Sequence, residues 1–219
     1  MSQNSPKIRT LIADDHEIVR QGLRTLLENE NCEVIAEFSS GREAVEGAKK
    51  LKPDVAVLDI SMPDLNGVEA AQQIAKELPD TKVVILTMHD SEELARKVLE
   101  AGARGFVLKS DAVRDLANAV KTVVSGKPFF SGKISEMLLR GYLEGSRKTN
   151  TETIPTLTPR EREVVQLLAE GKSSKEVASI LGTSPATVDT QRAKIMQKLD
   201  LHSVTDLVRY AIRNHIIEA

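Results

Sequence analysis

The chain has 219 residues, of which 41% are hydrophobic and 28% charged, with 12 Gly and 8 Pro, a globular composition that excludes collagen-like, low-complexity and broadly disordered classes. A formal net charge of −2 by itself argues against a nucleic-acid binder, but residues 1–128 carry 17 Lys and Arg against 21 Asp and Glu, whereas residues 154–219 carry 9 against 8. The acid sits in front, so a small basic face at the back has to be sought locally.

Residues 1–6 are polar where a signal peptide would need an apolar core, and no apolar run approaches the ~18 residues of a membrane helix, so a cytoplasmic location is expected. Cys32 is the only cysteine, which excludes an intrachain disulfide and a cysteine-built zinc site, and it reads as a small buried residue on a strand. In chain order, short β-rich runs at 8–13, 33–38, 55–59, 83–87 and 105–108 alternate with helical periods near 16–28, 41–50, 68–78, 91–101 and 111–124. This βα alternation predicts an α/β fold with a doubly wound five-stranded parallel sheet. The runs at 54–58 and 82–86 are almost continuously apolar, as strands covered on both faces must be, and belong at its centre.

Ser125-Gly126-Lys127-Pro128 breaks the last of these helices, and residues 146–153 are polar and aperiodic. The expected division is therefore 1–126, a linker at 127–155 holding a short helix around 134–143, and an all-α unit at 156–219. In that unit Thr158 and Glu161 spell a capping box around Pro159, Gly171 and Gly182 stop helices, Thr183-Ser184-Pro185 opens another, and a last helix is expected over 204–217.

Ligands of open parallel sheets bind outside the carboxyl ends of the strands. There the pattern places Asp14 and Asp15, Asp59, Thr87 and Lys109 together. Clustered carboxylates repel one another unless a cation intervenes, and the oxygen set suits Mg²⁺. An aspartate beside such an ion can attack phosphorus, with Lys109 absorbing charge on the phosphoryl oxygens. Taken singly, each residue could merely cap a helix; five in the right order make that improbable.

In the tail, two short helices joined through a glycine turn form a helix-turn-helix, whose second helix offers its N-terminal residues to the major groove. Val188, Ile195 and Leu199 are expected inward, and Thr187, Thr190, Gln191, Lys194 and Lys198 outward, Lys toward phosphates and Gln toward adenine. Asp189 would repel phosphate.

Asp14-Asp15, Leu58-Asp59-Ile60-Ser61-Met62-Pro63 with Gly67, Thr87, and Gly105-Phe106-Val107-Leu108-Lys109 resemble the receiver domain of two-component response regulators. The resemblance implies a flavodoxin-like strand order, 2-1-3-4-5. It implies that Asp59 accepts a phosphoryl group from a sensor kinase histidine and that Asp15, Asp59 and the Ser61 carbonyl bind Mg²⁺, with Asp14 acting through water. It also implies that Thr87 and Lys109 contact the phosphoryl group, and that Thr87 and Phe106 form a switch which repacks the surface near the fourth helix. Met88 and His89 are read as tuning water access to the phosphoryl group.

Leu157-Thr158-Pro159-Arg160-Glu161, Lys175-Glu176-Val177-Ala178, Thr187-Val188 and Lys198-Leu199 resemble the LuxR-type DNA-binding domain, and the whole chain the NarL/FixJ class. That resemblance adds Lys175, Ser184 and Arg192 to the DNA-contacting set. The partners it implies are a sensor histidine kinase, double-stranded promoter DNA, RNA polymerase, and a second copy of the chain upon phosphorylation, with no membrane. Two other readings stand beside it: a Mg²⁺-dependent phosphatase using Asp59, disfavoured because Ser61 occupies the place of a second Asp, and an interaction module that is never phosphorylated.

Overall fold

The computed structural model describes residues 6–145 and 157–218. The polar stretch expected to link the two units, 146–153, lies outside the described residues. Strand β1 (Ile8–Ala13) leads into α1 (Glu17–Glu28), and the alternation continues through β2 (Cys32–Phe38), α2 (Gly41–Leu51), β3 (Val55–Asp59), α3 (Gly67–Glu77), β4 (Lys82–Thr87), α4 (Glu92–Glu100), β5 (Gly105–Leu108) and α5 (Ala112–Val124).

The sheet is parallel throughout with order 2-1-3-4-5-6, so it has six strands where five were expected. The addition is β6 (Phe129–Phe130), which pairs with Gly105 and Phe106. The Ser125–Pro128 break is a turn through Gly126, at φ 84°, that returns the chain to the open edge of β5. Helix α6 (Gly132–Gly145) follows, and its fully buried Ile134 joins the core.

Alternating side chains of the central strands feed two cores. Leu11, Ala56, Leu58, Ile85 and Phe106 pack against α2, α3 and α4, while Ile12, Val57, Val84, Leu86 and Val107 pack against α1 and α5. All five residues of β3 are buried, as strands covered on both faces require. Gly67 opens α3 where a Cβ would sit 1.9 Å from the Asp59 carbonyl oxygen, so only glycine lets the helix start this close to the end of β3.

The second unit comprises α7 (Pro159–Ala169), α8 (Ser174–Leu181), α9 (Pro185–Lys198) and α10 (Val204–Arg213) around Val164, Leu167, Val177, Val188, Ile195 and Leu207. The Thr158–Glu161 capping box forms as expected, and a second one joins Ser173 and Glu176. Gly182 ends α8 in the left-handed conformation, φ 63°, which makes the turn into α9. Helix α10 ends at Arg213 rather than 217: His215 adopts φ 55° and turns the chain so that Ile216 can bury itself, at 2% exposure, in the helical core.

Candidate functional site

Because the strands are parallel, the ends of β1, β3, β4 and β5 emerge at one edge of the sheet, and there Asp14, Asp59, Thr87 and Lys109 converge. Lys109, at the start of a 3-10 turn that directly follows β5, places its Nζ 2.8 Å from Asp14 Oδ2 and 3.0 Å from Asp59 Oδ1. Asp14 is fully buried and Asp59 nearly so. Burial raises the Asp59 pKa from 3.8 to about 6; the Lys109 ammonium opposes the rise and the Asp14 charge adds to it. Burial also disfavours the charge on Lys109, but Asp59 and Asp14 outweigh it, and the net shift is upward. The pocket thus stores an unfavourable negative charge beside a firmly held positive one.

Thr87 is buried at the end of β4, and its hydroxyl accepts the His89 backbone N–H at 3.1 Å. Asp15 lies at the rim, its carboxylate 2.7 Å from His16 Nδ1, and the His16 backbone N–H donates to Asp14 Oδ1 at 2.9 Å. Ligand atoms of Asp14, Asp15 and His16 all lie within 4.8 Å of one another. His16 was not singled out in the sequence, although its place directly after two aspartates offered the signal. Ser61 turns its hydroxyl to Glu218. Phe106 is fully buried on the face toward α4.

On the helical unit the whole chain leaves Lys175, Ser184, Thr187, Thr190 and Lys194 exposed, with Val188 and Ile195 buried beneath. Ser184 caps α9 by accepting the Thr187 N–H. Arg192 and Gln191 are half-buried, and Gln191 Oε1 is a buried acceptor with no hydrogen-bond partner among the described residues. Lys198, expected outward, is half-exposed, and its ammonium lies 2.7 Å from Glu161 in the α7 capping box. Asp189 is engaged by the Ser174 hydroxyl at 2.6 Å.

The helical unit docks on the loop that follows Asp59. Gln166, 1% exposed, accepts the Asn66 N–H at 2.8 Å and donates to the Met62 carbonyl at 2.9 Å. Glu170 accepts the Asp64 N–H, and Arg162 meets the buried Glu69 at 3.1 Å. Burial holds the Glu69 carboxyl above its ordinary range against the pull of Arg162. Glu218, 157 residues from Ser61 in sequence, reaches the same loop. Among the described residues, the hydrogen bonds and ion pairs of this seam come from α7, Glu170, Lys172 and the C-terminal segment, and none from α9.

Residues 10–121 match the response regulator receiver domain, and residues 155–211 match the luxR family of bacterial regulatory proteins. The transcriptional regulatory protein LiaR of Bacillus subtilis is 38% identical over 213 residues, covering 96% of this chain and 99% of the relative. MctR of Rhizobium johnstonii, also a transcriptional regulatory protein, is 35% identical over 213 residues, covering 97% and 96%. Among solved structures, Salmonella typhimurium RcsB superimposes with a TM-score of 0.64 at 30% identity over 94% of this chain and 97% of that one. An RcsB–DNA complex gives 0.57 at 30% identity over 93% and 97%. The two domain matches, together with relatives aligned over more than nine-tenths of their length, show that the chain belongs to the DNA-binding response regulators that join a receiver domain to a luxR-type domain, the regulators of transcription.

Proposed function

We propose that Asp59 is the phosphoacceptor, that the donor is a phosphohistidine of a sensor kinase, and that phosphorylation controls pairing of the chain and its binding to promoter DNA. The observation that carries this reading is the Lys109 ammonium held between Asp14 and Asp59 at the sheet edge. An Asp59 carboxylate oxygen attacks phosphorus, the bond from phosphorus to the donor nitrogen breaks, and the imidazole leaves with the electron pair, while Lys109 steadies the charge on the phosphoryl oxygens. Asp14, Asp15, Asp59 and the Ser61 carbonyl are the oxygen donors that would hold Mg²⁺, and the hard, acid-rich set fits that ion. When bound, the ion would neutralise charge on the transferring group. Thr87 would meet the phosphoryl group with its hydroxyl and Phe106 would follow it, biasing the receiver between two packings.

We assign 1–126 to the receiver, 127–155 to the linker and 156–219 to DNA binding, in a cytoplasmic switch rather than a turnover enzyme. The half-exposed Val204 of α10 supports a pairing surface there. Incubation with acetyl phosphate and Mg²⁺ should add the mass of one phosphoryl group at Asp59, and Asp59→Ala should abolish both that mass and donor-dependent pairing. Absence of added mass on the parent protein would overturn the reading.

Lys175, Ser184, Thr187, Thr190, Gln191, Arg192 and Lys194 form the proposed DNA face. Lys194→Ala should weaken binding to every duplex and reduce the slope of log affinity against log salt by about 1. Lys198→Ala should leave that slope nearly unchanged and instead lower helical-unit stability, since its charge is engaged with Glu161. Equal slopes for Lys194→Ala and the parent would remove Lys194 from the interface.

A further inference from the structure

Glu218 sits at the mouth of the Asp59 pocket although it belongs to the end of the helical unit. One carboxylate oxygen lies 2.5 Å from Ser61 Oγ and 3.4 Å from His89 Nε2. Ser61 is two residues past Asp59, and the His89 N–H is bonded to the Thr87 hydroxyl, so Glu218 is tied to the segments that follow β3, which Asp59 ends, and its neighbour β4. The His89 ring also stands 5.3 Å from that of His215. The Ser61 hydroxyl first, then His89 and Lys109, hold Glu218 below the ordinary carboxylate range, so it is ionised in the docked arrangement.

We propose that Glu218 is the charge sensor of docking: it anchors the helical unit over the 60–66 loop while Asp59 is unmodified, and is expelled by the negative charge of a phosphoryl group on Asp59. This rests on Asp59 being the phosphoacceptor. A phosphoryl group carries about −1.5 to −2 at neutral pH where the carboxylate carried at most one charge. At the dielectric near a protein surface, one added like charge within several ångströms shifts a two-state equilibrium by ~10- to 100-fold. Gln166 then lets go of the Met62 carbonyl and the Asn66 N–H, which return to water.

The device does not work by hiding the DNA face. Thr187, Thr190 and Lys194 remain exposed with the helical unit docked. What docking immobilises is α7 and the segment that follows α10.

The seam supplies its own reporter, because the Asn66 and Asp64 amide hydrogens donate to Gln166 and Glu170. Hydrogen exchange at residues 64–66 is therefore measured on the full chain with Mg²⁺, with and without acetyl phosphate, together with the intact mass. In the parent, the donor should speed exchange there ~10-fold or more. Glu218→Gln keeps a partner for Ser61 but not the charge, and the donor-induced increase should shrink to a small fraction. Glu218→Lys, opposed by Lys109 before modification and attracted by the phosphoryl group after it, should reverse the sign, the donor slowing exchange. A donor response of equal size and sign in all three proteins, with Asp59 carrying the added mass, overturns the sensor. Missing mass in all three instead overturns the phosphoacceptor assignment.

Discussion

Replacing Asp59 by Asn should raise the thermal midpoint of the metal-free protein at pH 7.5, the opposite of what removing a charge that faces a lysine usually does. The Asp59 carboxyl rises from 3.8 to about 6 on folding, chiefly through burial. A folded pKa above the unfolded one means the ionised group opposes folding: the penalty is absent below about pH 4, grows between pH 4 and 6, and is complete above. The net rise, which already includes the opposing pull of Lys109, corresponds to ~3 kcal/mol, of which Asn, an imperfect stand-in for the protonated acid, should recover ~1–2 kcal/mol. For a chain of this size that is ~2–8 °C at pH 7.5, shrinking toward zero at pH 4.5. Scanning calorimetry of the two proteins across pH 4.5–8 checks it, and a midpoint lowered by Asp59→Asn at pH 7.5 would refute it. Mg²⁺ should raise the midpoint of the parent and do much less for Asp59→Asn, since a carboxylate of the proposed ion site has gone.

Lys109→Ala carries the largest loss. It leaves a fully buried Asp14 and a nearly buried Asp59 without the ammonium that both contact. Stranding buried charge in this way costs ~3–5 kcal/mol. The direction with pH follows from the same groups: the carboxylates can escape by taking up protons, so the loss should be greatest at pH 8 and ease below about pH 6. Two rescues separate this from a simple packing defect. Adding Asp59→Asn should recover much of the loss, a strongly non-additive pair, and Mg²⁺ should stabilise Lys109→Ala more than it stabilises the parent. Denaturant titrations of the four proteins of the cycle give the coupling; simple additivity would show that Lys109 and Asp59 do not depend on one another.

The sites differ in how legible they were in the sequence. Asp14, Asp59, Thr87 and Lys109 could be brought together without coordinates, because the apolar runs fixed strands, the βα alternation made them parallel, and parallel strands present their carboxyl ends on one side. The capping signals of the helical unit were equally local and mark the observed starts of α7 and α9. What escaped was set by tertiary contact. Strand β6 has only two residues, too few for any period, and exists because β5 leaves an edge to pair with. The pairing of Lys198 with Glu161, 37 residues away, is likewise a contact that no helical wheel shows. The end of α10 follows from the burial of Ile216, and the partnership of Ser61 with Glu218 has no trace in spacing or composition. The second capping box, Ser173 with Glu176, is as local a signal as the first.

The uncovered N-terminal half of α9 bears on how such a molecule finds its target. A regulator whose reading head is sheathed at rest must unsheathe before it can touch a duplex at all. With the proposed DNA face exposed at rest, a single copy would already hop along nucleic acid, held by the few cations at Lys175 and Lys194 and shed readily by salt. Arrest at a promoter would then be decided by whether a neighbour joins, so the signal would govern dwell time more than first encounter.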